Sequence, residues 1–408
     1  MKRAVITGVG PVSAIGVGAD DFTAALFQNR TGINPIQAFS TANCASKCGG
    51  EIRDFHVASF LQSEKTYLDR HSEFALAAVS LALRHAGLDL AGEDRTRVGI
   101  VMGTAFGCLA TMGLFYAGVV EKGPRLAKPV LFPHTYANTS ISLAAIEFGI
   151  KGMHAAMTSG AVASAEALLF ALDLIRSGRA DVVLAGGAEA LSEIMFRGYC
   201  RAGWLAPQSG GPELACPFDR RANGMILGEG AGMLVVEEAE HAVRRGATIR
   251  GELAGGAMTG TDFARTADGA AGAVARAMAQ ALADAHAEPR DVEYVCAAAN
   301  SEPALDLAEA RGIRSILGAP GAAVPVSSIK SMTGEILGAS GALQAIATLG
   351  AIAAGRVPPT LNFESLPVGT EHLNVAGQAV VTPIALALVN SIDRGGSIVS
   401  LALRKHPG

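Results

Sequence analysis

The sequence predicts an α/β protein made of two related halves, 1–250 and 251–408. Three observations carry this. A chain of 408 residues is ample for two packed α/β domains. Apolar residues make up 50% of it and charged residues 17%, with 49 glycines, which suits tightly packed helices and close turns rather than disorder. One segment plan also occurs twice: Val162-Ala163-Ser164-Ala165-Glu166-Ala167 running on to Gly178, and Ala342-Leu343-Gln344-Ala345 running on to Gly355. Each reads as a buried helix that follows a small-residue turn and stops at glycine.

The elements follow in order. Residues 3–9 are apolar and β-branched, a first strand closed by Gly8-Val9-Gly10. Those glycines invite a dinucleotide-binding reading, but Ser13 stands where the next glycine belongs and Pro11 interrupts the approach to a phosphate. A tight turn is enough to explain them. Residues 72–85 carry Phe74, Leu76, Val79 and Leu83 at helical spacing, and 98–102 read as a buried strand. A long alanine-rich helix is expected over 161–175, then a strand over 182–184 with a turn at Gly186-Gly187. Residues 225–227 and 233–236 read as an antiparallel hairpin joined through Gly228, Gly230 and Gly232. The plan then returns, with a helix over 270–285, a strand over 292–295, an apolar helix over 342–353 and strands over 384–389 and 397–403.

Charge and composition exclude several functions. Net charge is -4 with no basic block, which disfavours nucleic acid as a partner. No uninterrupted run of about 18 apolar residues predicts a membrane span. The opening Met1-Lys2-Arg3 leads directly into strand residues, unlike a signal peptide. Six scattered cysteines do not form a disulfide framework. Cys44 and Cys48 lack the second close pair of a metal site. The expectation is a reduced, cytoplasmic protein.

Several segments, in order and over almost the whole chain, resemble the β-ketoacyl synthases. They are 4–10 (AVITGVG), 180–189 (ADVVLAGGAE), Pro217-Phe218-Asp219-Arg220, Gly228-Glu229-Gly230-Ala231-Gly232, and Ser327-Ser328-Ile329-Lys330-Ser331-Met332-Thr333-Gly334. The resemblance implies a thiolase-like duplicated fold with five-layered α-β-α-β-α architecture, dimerisation, no cofactor and no metal. In an active member a cysteine at the start of the first buried helix attacks the acyl thioester, helped by the helix N-terminus. Counting back from Gly178-Arg179-Ala180-Asp181 puts that position at Ala161, in Thr158-Ser159-Gly160-Ala161-Val162. A methyl group is no nucleophile, and nearby Ser159 reads as a cap or turn residue.

The other family positions change as well. The usual His-Gly-Thr-x-Thr-Pro loop corresponds to 297–303, and its alignment through Pro303, Asp306 and Glu309 puts Ala298 at the first histidine. Glu335 stands at the second, after Thr333-Gly334. A carboxylate cannot supply the neutral imidazole hydrogen bonds that stabilise an enolate or thioester oxygen. Lys330 is retained and is expected to pair with Glu335 or Glu309. The family's aromatic, glycine-rich gate corresponds to Asn390-Ser391-Ile392-Asp393-Arg394-Gly395-Gly396. Its two aromatics are lost, and Asp393 and Arg394 are expected to pair with each other or with a partner subunit.

These joint departures imply a non-catalytic chain-length factor. By the resemblance, such a subunit heterodimerises with an active ketosynthase and shapes the tunnel for a polyketide, polyene or fatty acyl chain grown from malonyl units on acyl carrier protein. Aromatic-polyketide factors carry glutamine where this chain has Ala161, so the product class stays open. The expected tunnel residues are Phe106, Leu109, Met112, Phe115 and Tyr116, three of them on one helical face; core packing would give the same period. Phe132, His134, Tyr136 and Asn138 are the expected interface residues. Two other readings stand beside this one. One is a repurposed acyltransferase or decarboxylase using Glu335, Lys330, Ser159 and Cys296, and the other a homodimeric module that binds acyl carrier protein.

Overall fold

The computed structural model describes residues 2–208, 210–262, 267–318 and 323–407. The main-sheet strands that matter here are β1 (Ala4–Ser13), β2 (Val98–Gly103), β3 (His154–Met157), β4 (Val182–Glu189), β5 (Gly230–Glu238), β6 (Gly251–Gly260), β7 (Tyr294–Cys296), β8 (Val326–Ser327), β9 (Leu386–Ile392) and β10 (Ser397–Arg404). The helices that matter here are α1 (Ala19–Phe27), α2 (Arg70–Ala86), α3 (Leu109–Lys122), α4 (Thr139–Phe148), α5 (Ala163–Arg176), α6 (Glu193–Arg201), α7 (Ala267–Asp284), α8 (Pro303–Leu317) and α9 (Ser340–Ala354).

Hydrogen bonding links the strands in the order β3-β2-β4-β5-β1-β6-β10-β9-β7-β8. In the first half β3, β2 and β4 are parallel, and β5 and β1 join them antiparallel. The second half repeats the pattern: β8, β7 and β9 are parallel, and β10 and β6 are antiparallel. The halves touch where Val5 faces Glu252 and Ile6 faces Gly251. Helices α5 and α9 occupy equivalent places, each entering the last parallel strand of its half. The repeated segment of the sequence is therefore a duplicated supersecondary unit.

Strand alternation builds the layers. Val183 and Ala185 of β4 point into a central core with α5 and α9, as do Ala387 and Val389 of β9. Val182 and Leu184 point the other way, onto α2, while Leu388 meets α7 and α8. The result is the expected five-layered α-β-α-β-α stack. Both faces of each sheet are covered, which is why the strands read as continuous apolar runs. The segment Leu337–Ala354, mean hydropathy 1.5, is long and apolar enough to cross a membrane, yet 83% of it is buried between the sheets. Helix α2 begins where Asp69 accepts a bond from His71 N–H and ends on left-handed Gly87.

Three local expectations are corrected. Gly8 and Gly10 do not form a turn; β1 runs through both. A Cβ at Gly8 would lie 2.3 Å from Ala82 O, and one at Gly10 2.1 Å from Ala78 O, so these glycines let α2 lie against the strand. Gly186-Gly187 likewise lies inside β4. Residues 225–227 do not pair with β5: Met225 bridges to Leu205 and Leu227 to Glu335, both in parallel sense.

Candidate functional site

The site lies where the N-terminal ends of α5 and α9 meet the loops after β7 and β9. A 3-10 turn, Gly160–Val162, precedes α5, and Gly160 takes φ 68° there. This presents the buried Ala161 N–H at the helix N-terminus, where the resemblance expects a nucleophile. That N–H donates to Asp393 Oδ1 at 2.9 Å, and Asp393 Oδ2 accepts from Gly395 N at 2.6 Å. A Cβ on Gly160 would come within 2.2 Å of Asp393 Oδ1, so glycine makes room for the carboxylate. Ser159 makes no side-chain cap bond; its hydroxyl donates to Glu166.

Across the pocket, the Ala298 and Ala299 N–H groups donate to Glu309 Oε1 and Oε2 at 2.9 and 2.7 Å. Lys330 does not pair with Glu309. Its Nζ donates to Glu335 Oε2 and to Ala298 O, each at 2.7 Å. Glu335 also accepts from Asn300 Nδ2 at 2.9 Å, Ser340 Oγ at 2.7 Å and Leu337 N at 3.0 Å. The side chains of Lys330 and Glu335 are 3% and 1% exposed. Burial pushes the Glu335 carboxyl up, but the Lys330 ammonium and these donors more than offset it, holding it below its ordinary value. The result is a closed, neutral, hydrogen-bonded pair in place of an imidazole.

The flanking carboxyls differ. Burial pushes Glu309 up and raises Asp306 to about 7, although Asp306 accepts from Phe218, Asn300 and Ser301 N–H groups. Burial likewise raises Glu189, at the end of β4, to about 7. Glu189 accepts from Ala105, Phe106 and Gly338 N–H groups at 2.6, 3.2 and 3.3 Å. It thereby ties the Phe106 loop to the entrance of α9. Composition alone did not mark Glu189 as a site residue; its signal was an acid at the end of an otherwise apolar strand.

The gate residues separate. Ile392 is buried at the end of β9. Asp393 and Arg394 do not pair with each other, because successive residues of the turn point apart: Asp393 reaches Ala161, whereas Arg394 pairs with Glu302 and lies 4.5 Å from the Trp204 ring centroid. Cys296 does not belong with Ser159; it is fully buried on β7, near Gln344, and burial raises its thiol.

Helix α3 is a surface helix on which only Thr111 is fully buried. Leu109 packs against a cluster containing Phe196 and Leu337. Met112 and Phe115 are half-buried, and Tyr116 is 60% exposed. Phe115 meets Phe132 at 5.7 Å between ring centroids, and Phe132 meets Tyr136 at 5.3 Å. His134 stands edge-on to Tyr67 at 5.0 Å, and Asn138 precedes α4. Of the tunnel and interface candidates, Phe115, Tyr116, Phe132 and Tyr136 thus form one aromatic cluster. Leu114, Val120, Leu126 and Val130 extend it, and β3 lies at the edge of the sheet beyond α4.

Residues 1–242 match the Beta-ketoacyl synthase, N-terminal domain, and residues 250–364 the Beta-ketoacyl synthase, C-terminal domain. The chain belongs to the β-ketoacyl synthase family. It is 36% identical to 3-oxoacyl-[acyl-carrier-protein] synthase 2 of Synechocystis sp., over 99% of this chain and 98% of the relative. Identity to the protein of the same name from Vibrio harveyi is 34%, over 99% of both. The ishigamide ketosynthase/chain length factor superposes with TM-score 0.91 at 30% identity, covering 99% of each chain. A type II PKS ketosynthase solved with its acyl-carrier protein superposes with TM-score 0.91 at 28% identity, over 99% of this chain and 100% of that one.

Proposed function

We propose that this chain is a non-catalytic ketosynthase subunit, a chain-length factor that pairs with an active β-ketoacyl synthase. In this reading it shapes the tunnel for a chain extended from malonyl-loaded acyl carrier protein. The observation that carries the reading is the Asp393 carboxylate on Ala161 N–H. Thioester attack needs a nucleophile at this helix end and a free donor for the oxygen that gains charge. Here a methyl group stands at the nucleophile's position and the donor is bonded to a fixed anion. The Lys330–Glu335 pair supports the same conclusion, because neither group is left to stabilise an enolate.

The surface around α3 supports a partner. An exposed apolar patch, and separately an open strand edge, are features that a protein covers by association. Phe106, whose N–H Glu189 holds, would line the end of the partner's acyl tunnel with Leu109 and Met112. His134, Tyr136 and Asn138 would lie within the contact. The names of the sequence relatives favour a second reading, elongation by this chain itself.

The test is product analysis with this chain, an active β-ketoacyl synthase, and the two together, each supplied with malonyl-loaded carrier protein. Product only from the mixture supports a chain-length factor. Condensation by this chain alone refutes it.

A further inference from the structure

A groove of about 700 Å³ lies between α1, the C-terminal half of α9 and the chain around residues 248–250 and 405–406. Its volume falls within the range of small-molecule sites. Phe27, Ile346, Leu349 and Ile352 give it an apolar floor, and Arg250, Lys405, His85 and His406 stand around it, with Asp20 as the acidic lining residue. It is separate from the degenerate site. Ser340, which binds Glu335, is at the start of α9, while the groove begins near its seventh residue and reaches its end. Gly350 lies about 15 Å along the helix from Ser340.

The polar groups are arranged for an anion. The Arg250 guanidinium hydrogen-bonds the carbonyls of Thr7 and His85, so no carboxylate is bonded to it, although the charge of Asp20 acts on it through space. The Lys405 side chain has no hydrogen bond or ion pair among the described residues. His85 Nδ1 accepts from Val9 N–H at 3.1 Å, which leaves Nε2 as the donor of the neutral ring. Two cations and a ring donor around an aliphatic trough match a ligand with one negative head and one flexible hydrocarbon tail. A nucleotide would call for more polar lining, and a cation would meet Arg250 and Lys405.

We infer that this groove binds a single-chain amphipathic carboxylate, with the tail against Phe27, Leu349 and Ile352 and the head between Arg250 and Lys405. This does not rest on the chain-length-factor reading, since the groove and its test involve neither a partner nor condensation.

The experiment is calorimetric titration of the full chain with dodecanoate below its micelle concentration. Dodecyltrimethylammonium serves as the cationic control. Saturable binding of one dodecanoate per chain, with no comparable binding of the cation, is expected. Ala24 lines the groove and is exposed, so Ala24→Trp fills the trough without disturbing the core and should weaken binding by roughly tenfold or more. Lys405→Glu, also at an exposed position, should weaken it about three- to fivefold, as expected for reversing one partly solvated charge. Circular dichroism confirms that both variants are folded. Non-saturable uptake, equal binding of the cation, or unchanged affinity in both folded variants would overturn the assignment.

Discussion

Asp393 and Ala161 are 232 residues apart in sequence, yet the carboxylate of one accepts the backbone N–H of the other at 2.9 Å. A helix N-terminus favours one anion, and here the chain supplies that anion from its own turn. Ala161→Cys alone is therefore expected to give a sluggish thiol, because the adjacent carboxylate disfavours the thiolate. Ala161→Cys with Asp393→Gly should lower the thiol pKa by about one unit relative to the single variant. The pH dependence of iodoacetamide alkylation checks this, and identical profiles would show that Asp393 does not control the position.

The Lys330–Glu335 pair makes a second prediction. Lys330→Met leaves a buried carboxylate without its cation and should cost about 3–5 kcal/mol. Replacing both residues by Met and Leu should recover part of that loss, since the lone charge is gone while Asn300 and Ser340 lose an acceptor. Denaturant midpoints with unchanged slopes would measure both effects.

Glu189 and Asp306 set a pH dependence. Both are raised to about 7 in the folded protein, against ordinary values near 4. The native state therefore holds protons that the unfolded state has released. Their contribution to stability is fullest below about pH 4 and is lost as pH rises through about 7. Glu189→Gln should flatten this slope between about pH 4.5 and 7, by on the order of 3 kcal/mol across the window. Unfolding free energies measured at several pH values decide it.

If α3 measures chain length, volume at its inner face should matter in the assembled pair. Met112→Ala should lengthen the product and Leu109→Phe shorten it, read by mass spectrometry of the released chains. Unchanged products from a normally assembled pair would remove these residues from the tunnel.

The apolar surface should be needed for association. Tyr116→Glu with Phe132→Glu would put two charges into it, and light scattering should then show a monomer where the unaltered chain associates.

Much of this was legible because the halves are duplicated and their motifs are local. Gly178 and Gly355 mark the ends of two equivalent helices, and Thr333-Gly334 fixes the position of Glu335. Lys330 finds Glu335 five residues away, just past the short helix that ends at Gly334, a contact that short-range spacing anticipates. The Asp393–Ala161 bond was not legible, because nothing local in either segment encodes the approach of the β9 turn to α5. Gly8 and Gly10 misled for a related reason. A glycine needed for close packing looks in sequence like a glycine needed for a turn, and only Ala78 and Ala82 on the opposing helix distinguish the two. The parallel bridges of Met225 and Leu227 were hidden in the same way, since their partners are remote or irregular.

The closed ring of bonds around Glu335 also bears on descent. A single reversion to histidine would strand the Lys330 ammonium in the interior, and reversion at Ala161 alone would set a new thiol against Asp393. Each step back toward condensation is unfavourable until the others are in place. Under the chain-length-factor proposal, selection on the assembled complex, rather than on turnover by this subunit, is what would keep the site as it is.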